Sequence, residues 1–206
     1  MSQKSRKLPG PVADEDLNNT NSVLELLATR RSALAKDMVE PGPSDEQLEK
    51  LIELAVRVPD HGKFKPWRFI VFAGEGRARA GDVLAQRWQA LNPNHSAEMI
   101  EQQRATFLRA PVVVAVVSST EESKKIPIWE QEMSVGAVCQ NMLIGATAMG
   151  FGCQWISGWA AFDKVVLEKF GLETHEKIAG FIYLGTAGSP LSDRPRPDHK
   201  SLMTRF

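Results

Sequence analysis

Six consecutive apolar residues, Val112-Val113-Val114-Ala115-Val116-Val117, restrict this chain more than any other feature. Five of them are β-branched, which favours an extended backbone over a helix. No polar residue alternates with them, so the run reads as a strand buried on both faces. Such a strand needs covering layers, and the rest of the chain supplies mainly helices.

Ser22 and Glu25 have capping-box spacing ahead of a helix over Val23–Arg31, and Ser44 and Gln47 repeat that spacing. After the second box Leu48, Leu51, Ile52 and Ala55 share one helical face, and Pro59 ends the helix. Arg68–Phe72 reads as a strand, and charged helical stretches follow at about 77–91 and 97–108. A long helix is expected over about 129–149, where Val135, Val138, Cys139, Met142, Leu143 and Ala146 recur at helical spacing. Its small residues Gly136, Ala137, Gly145, Ala146 and Ala148 allow close approach, which suits a central helix or a subunit contact. Gly150-Phe151-Gly152 ends it; strands at about 153–156 and 178–184 flank a helix at 162–170. The pattern is α+β.

Composition excludes several partners. Twenty-five basic and twenty-five acidic side chains in 206 residues give no net charge, which argues against broad binding to nucleic acid or anionic membranes. No apolar stretch approaches the length that spans a bilayer, and the polar start Met1–Lys7 is no signal peptide. The cytoplasm is the expected location. Cys139 and Cys153 form no secreted framework and are expected to be reduced and packed. Residues 1–20 read as a flexible tail and 21–206 as one domain.

The chain has no phosphate-loop motif, no G-x-G-x-x-G fingerprint, no G-x-S-x-G elbow and no H-E-x-x-H pair. The histidines His61, His95, His175 and His199 are too scattered to propose a metal. Three segments do carry chemistry. Arg30-Arg31-Ser32 puts two planar donor forks and a hydroxyl at a helix end, suited to phosphate or a carbonyl-rich ring edge. A donor-rich loop, Arg57–Trp67, leaves a helix and enters a strand through Pro66-Trp67. Gly150–Gly158 places glycines beside Trp155 and Ser157, where a flat ring fits. Each segment taken alone also reads as ordinary structure: a helix end, an exposed basic loop, a helix exit.

Taken in order, and with Trp129–Ser134 and Gly180–Thr186, these segments resemble the nitroreductase family, in its compact bacterial NAD(P)H branch. The resemblance covers about Val23 to Phe206. It implies a nitroreductase-like fold, a mixed β-sheet flanked by helices, in an intertwined homodimer with flavin mononucleotide (FMN) at the interface. It implies that Arg30, Arg31 and Ser32 contact the flavin phosphate, ribityl chain or ring edge. Arg57 and His61 would reach the flavin of the other subunit, and Trp155, Ile156 and Ser157 would lie beside it. Gly145, Ala146, Thr147, Ala148, Met149 and Gly150 align with a segment assigned to the nicotinamide nucleotide. The implied activity passes hydride from NAD(P)H through FMN to nitroaromatic, quinone or related small acceptors by a ping-pong mechanism, with no catalytic side chain required. Two departures stand out. Leu34 occupies a place where many relatives carry lysine, and Lys65 one where many carry glutamine. They keep open an alternative, a flavin-binding or flavin-sequestering protein without turnover. The Arg194–Pro197 run reads equally as a flavin-phosphate arm or as a surface tail.

Overall fold

The computed structural model describes residues 12–206, so the first eleven residues of the expected tail lie outside it. The chain divides into two compact units. One spans Ser32–Ser189; the other joins the chain up to Arg31 with Pro190–Phe206.

The larger unit is built on five strands: β1 (Met38–Val39), β2 (Trp67–Ala73), β3 (Val112–Ser118), β4 (Gly152–Ile156) and β5 (Lys177–Ala187). β5 is the centre. It pairs with β3 along one edge and β4 along the other, and its last two residues pair with β1; β2 lies outside β3. Every pairing among the described residues is antiparallel, where the resemblance implied a mixed sheet. A fully buried apolar strand looks the same in sequence whichever way its neighbours run, because burial depends on the covering layers alone.

Those layers are helical. α2 (Asp45–Ala55) and α5 (Ile128–Ala148) cover one face. Leu48, Leu51 and Ala55 join Val135, Val138, Cys139, Met142 and Ala146 against Val112, Val114, Val116, Ile182 and Leu184. The opposite face belongs to α3 (Glu75–Leu91), α4 (Ala97–Arg104) and α6 (Lys164–Lys169). There Phe107 stacks within 4.9 Å of Phe72 and 5.0 Å of Phe181, with Phe170 beside them. Val113, Ala115 and Val117 alternate with the first set and are equally buried, as the sequence pattern requires. A Cβ on Gly145 would meet the Leu51 side chain at 2.8 Å, so glycine sets how closely α5 approaches α2.

Helix starts follow the sequence. Ser44 and Gln47 make both bonds of the expected capping box. Cys139 and Cys153 are buried thiols that form no disulfide, and burial pushes the Cys139 thiol up to about 12. No helix among the described residues is long and apolar enough to cross a membrane, and none of them forms a group of metal-ligating side chains.

An ion pair locks the far end of the sheet. Arg68 on β2 donates through Nε to Glu176 Oε1 at 2.7 Å and through Nη2 to the Gly171 carbonyl at 2.8 Å. The Glu176 side chain is only 3% exposed and also accepts from the Glu173 N–H. The guanidinium beside it holds this carboxyl down from 4.5 to about 2. A carboxylate depressed in the folded state contributes stability above its unfolded pKa and loses it as pH falls towards 2. Arg68 is partly open to water, so the contribution is on the order of 2 kcal/mol. Acid unfolding of wild type and Glu176→Gln followed by circular dichroism checks this. The variant should be less stable at pH 7, and the difference should shrink steadily between pH 5 and 2.

The smaller unit is tied by its own bonds. α1 (Val23–Thr29) starts at Ser22, whose Oγ accepts the Glu25 N–H. Within the expected tail, Asp14–Asp16 form a short 3-10 turn, and Asn18 N–H donates to the Thr29 carbonyl. Asp193 accepts the Val12 N–H at 3.0 Å; that bond, helped by Arg196, holds its carboxyl down to about 2.

Candidate active site

The donor-rich loop is gripped by α5. His61 Nδ1 lies 2.7 Å from Glu130 Oε2, Ser134 Oγ donates to the Pro59 carbonyl at 2.6 Å, and Asn141 Nδ2 donates to the Arg57 carbonyl at 3.0 Å. Positions 130, 134 and 141 recur on one side of a helix with 3.6 residues per turn, so a single polar stripe holds the whole segment. The Arg57 and His61 side chains stay exposed.

Inside the loop the backbone is unusual. Gly62, Lys63 and Lys65 all have positive φ, at 78°, 59° and 49°. For the two lysines this is a sparsely populated conformation that surrounding bonds must enforce. Asp60 supplies those bonds: its two carboxylate oxygens accept the N–H groups of Phe64 at 3.1 Å and Lys65 at 2.9 Å.

The third predicted segment forms β4 and its exit. Gln154 Oε1 accepts the Ala35 N–H at 2.6 Å, so the stretch beginning at Ser32 runs alongside β4. Trp155 Nε1 donates to the Ala179 carbonyl at 3.0 Å and its indole lies across Gly180, where any Cβ would overlap the ring. Beyond it Trp159 Nε1 donates to Gln103 Oε1 at 3.0 Å, and its ring sits 5.1 Å from Trp88. The exit is thus braced by three elements. Between the braces Ser157 and Gly158 are exposed, and Gly158, at φ 65°, has open space around it. This is a rigid edge with a bare backbone, suited to a flat ring.

Arg30 and Arg31 lie in the smaller unit. The Arg30 N–H closes α1 on the Leu26 carbonyl at 2.8 Å. The Arg31 N–H donates to Asn18 Oδ1 at 2.7 Å, and its Nε donates to the Ser192 carbonyl at 2.8 Å. Of the six residues from Gly145 to Gly150, Gly145, Ala146 and Thr147 are buried and serve packing; Thr147 Oγ1 is spent on the Leu143 carbonyl at 2.9 Å. Only Ala148, Met149 and Gly150 retain exposed surface.

Sequence reasoning left Glu130, Ser134, Asn141, Asp60 and Gln154 without roles. For Glu130 and Ser134 the i, i+4 spacing within Trp129–Ser134 was a usable signal. For Asp60 it was the position two residues ahead of Gly62, which favours a side-chain-bonded turn. Gln154 offered none.

The family model described as Nitroreductase family matches residues 28–186. Over 163 residues the chain is 44% identical to the Escherichia coli (strain K12) protein named "Putative NAD(P)H nitroreductase YdjA", covering 79% of this chain and 87% of that one. Its fold is similar to that of a nitroreductase-like family protein from Bacillus cereus, with a TM-score of 0.77 at 21% identity over 91% of this chain and 97% of that one. A nitroreductase with bound FMN from Bacteroides fragilis superposes with a TM-score of 0.65 at 20% identity, over 91% and 100% of the two chains. The braced β4 exit and the loop held on α5 therefore sit in a scaffold whose family is shown by sequence over most of its length: this chain belongs to the nitroreductase family.

Proposed function

We propose that the protein is a homodimeric FMN-dependent oxidoreductase that takes hydride from NAD(P)H and reduces nitroaromatic, quinone or related small acceptors. The observation that carries this reading is the bare, rigid edge at Ser157-Gly158, fixed by Gln154, Trp155 and Trp159. The bound FMN of the Bacteroides fragilis nitroreductase, and the nicotinamide named for the Escherichia coli relative, support the choice of cofactors.

When bound, the flavin supplies two-electron transfer between nicotinamide and acceptor, each using the same open face in turn, which is the basis of ping-pong kinetics. The chain's own residues bind and orient. Trp155, Ile156, Ser157 and Gly158 offer a fixed wall to the ring. Ser32 and the arginines Arg30, Arg31 and Arg57 would hold its anionic and carbonyl groups through charge-assisted bonds. His61 is steadied by Glu130 for a contact across the dimer.

A dimer is supported by apolar surface that one chain leaves open. On α5, Trp129 is 66% and Met133 54% exposed, in line with Ala137 and Ile144. On α1, Val23, Leu24 and Leu27 are exposed as well. A helix apolar on more than its core face belongs in a second contact. The buried thiols of Cys139 and Cys153 support a reducing compartment, the cytoplasm.

The purified protein should be yellow and release FMN on heating. Mixed anaerobically with NADH or NADPH it should bleach, and adding a nitroaromatic or quinone should restore the colour. Release of flavin adenine dinucleotide instead would refute the cofactor. A flavin that stays yellow with both nicotinamides would mark a binding protein without turnover.

A further inference from the structure

Two loops meet where β2 begins and β3 ends. The Ser119 N–H donates to the Pro66 carbonyl at 3.0 Å, and at the other end a Cβ on Gly62 would lie 3.3 Å from the Ile126 side chain. Between these two contacts the loops present Lys63 and Lys65 on one side and Lys124 and Lys125 on the other, all exposed.

None of the four lysines has an ion-pair partner among the described residues, although acidic groups are close in sequence. The two oxygens of Asp60 are taken by backbone N–H groups. Glu130 is taken by His61, while Glu121 and Glu122 remain exposed on the second loop. Counting Arg57, five cations stand against the four carboxylates Asp60, Glu121, Glu122 and Glu130, so the rim carries a net positive charge.

Its shape is set in advance. Phe64 is right-handed, at φ −68°, and Lys65 left-handed, at φ 49°. That alternation turns successive N–H groups into a concave anion nest. Asp60 fills the nest, so the loop keeps its form with no ligand, and the lysine ammonium groups are left for an anion from outside.

We propose that this lysine rim binds the phosphates of the nicotinamide substrate and selects NADPH over NADH through the 2′-phosphate. The inference rests on the proposed function. Residue chemistry separates it from cofactor binding. Arginine grips phosphate with a planar fork, whereas lysine is a mobile point charge on a flexible stem. A resident cofactor calls for the first. A substrate that must leave in every cycle is served by the second, through capture at long range and weak holding. A monoester phosphate adds roughly 1.5 to 2 negative charges, so the 2′-phosphate gains most from such a rim.

The test uses the FMN-loaded protein and, as probes, 2′,5′-ADP, 5′-AMP and inorganic phosphate. The comparison protein carries Lys63→Gln, Lys65→Gln, Lys124→Gln and Lys125→Gln together; glutamine removes the charge, keeps most of the side-chain length and leaves the backbone demand at 63 and 65 unchanged. In wild type, 2′,5′-ADP should bind about tenfold tighter than 5′-AMP, which lacks only the 2′-phosphate, since exposed charge contacts are individually weak and four together reach about one decade. The preference should weaken as salt rises and vanish in the variant, with both proteins held at saturating FMN. Inorganic phosphate should bind weakly to both. Equal affinity for the two nucleotides in wild type, or a preference that survives in the variant, overturns the proposal. So does inorganic phosphate binding as tightly as 2′,5′-ADP, because the rim would then be a plain phosphate site. Since these titrations require no hydride transfer, they remain decisive even if neither nicotinamide reduces the flavin, which would refute the proposed function separately.

Discussion

Met133→Asp is expected to yield monomers that no longer retain flavin. Met133 is 54% exposed on the single chain and follows Trp129 by one helical turn, with Ala137 a turn further on. A closed two-fold interface is self-complementary, so one substitution enters it twice. Each buried, unpaired carboxylate costs several kcal/mol. Two of them at about 3 kcal/mol each shift the dimer equilibrium by about four powers of ten. The fold of the chain should survive, because aspartate at an exposed helix position costs only a few tenths of a kcal/mol in propensity. Light scattering reads the mass, circular dichroism the fold, and flavin absorbance the cofactor. A variant that stays dimeric would remove α5 from the interface, and a monomer still loaded with FMN would show that the flavin does not need the second subunit.

The sequence reading located most elements because their signals are local. Ser44 and Gln47 sit three residues apart and bond each other, so a capping box is visible before any folding. The buried strand announced itself by composition. What stayed hidden depends on distant partners. The two residues of β1 exist as a strand only because Thr186 and Ala187 lie opposite them. Strand direction was equally out of reach, since helices on both sheet faces bury Val113 and Val114 alike.

The candidate site divides along the same line. Trp155 and Ser157 were legible as residue types beside glycines, and the structure places them at an exposed edge. What holds that edge was not legible: Gln154 meets a backbone N–H 119 residues away, and Ser134 a carbonyl 75 residues away. The Gly145–Gly150 assignment came from alignment alone, which does not register that half of those residues pack against α2 and the sheet. The positive φ at Lys63 and Lys65 ran against residue type and needed Asp60 to reveal it.

Truncating the correct arginine of the Arg30-Arg31 pair is expected to weaken FMN binding by about tenfold to a hundredfold. A hydrogen bond to a charged group contributes roughly 1.5 to 3 kcal/mol net, and each 1.4 kcal/mol is a factor of ten. The two arginines start from different positions. The Arg30 backbone closes α1. Arg31 spends one guanidinium donor on the Ser192 carbonyl, out of the five such a group carries. Arg31→Ala should therefore also loosen the carboxy-terminal segment by about 1 kcal/mol, the net worth of one such bond. Arg31→Lys should restore charge without the planar fork and recover only part of the affinity. A purely structural role predicts something else: a small stability loss in each single variant and unchanged flavin affinity. Titrating FMN into Arg30→Ala, Arg31→Ala and the double variant, with thermal unfolding measured alongside, separates the two. A folded double variant that binds FMN as tightly as wild type would leave the pair as a helix end and nothing more.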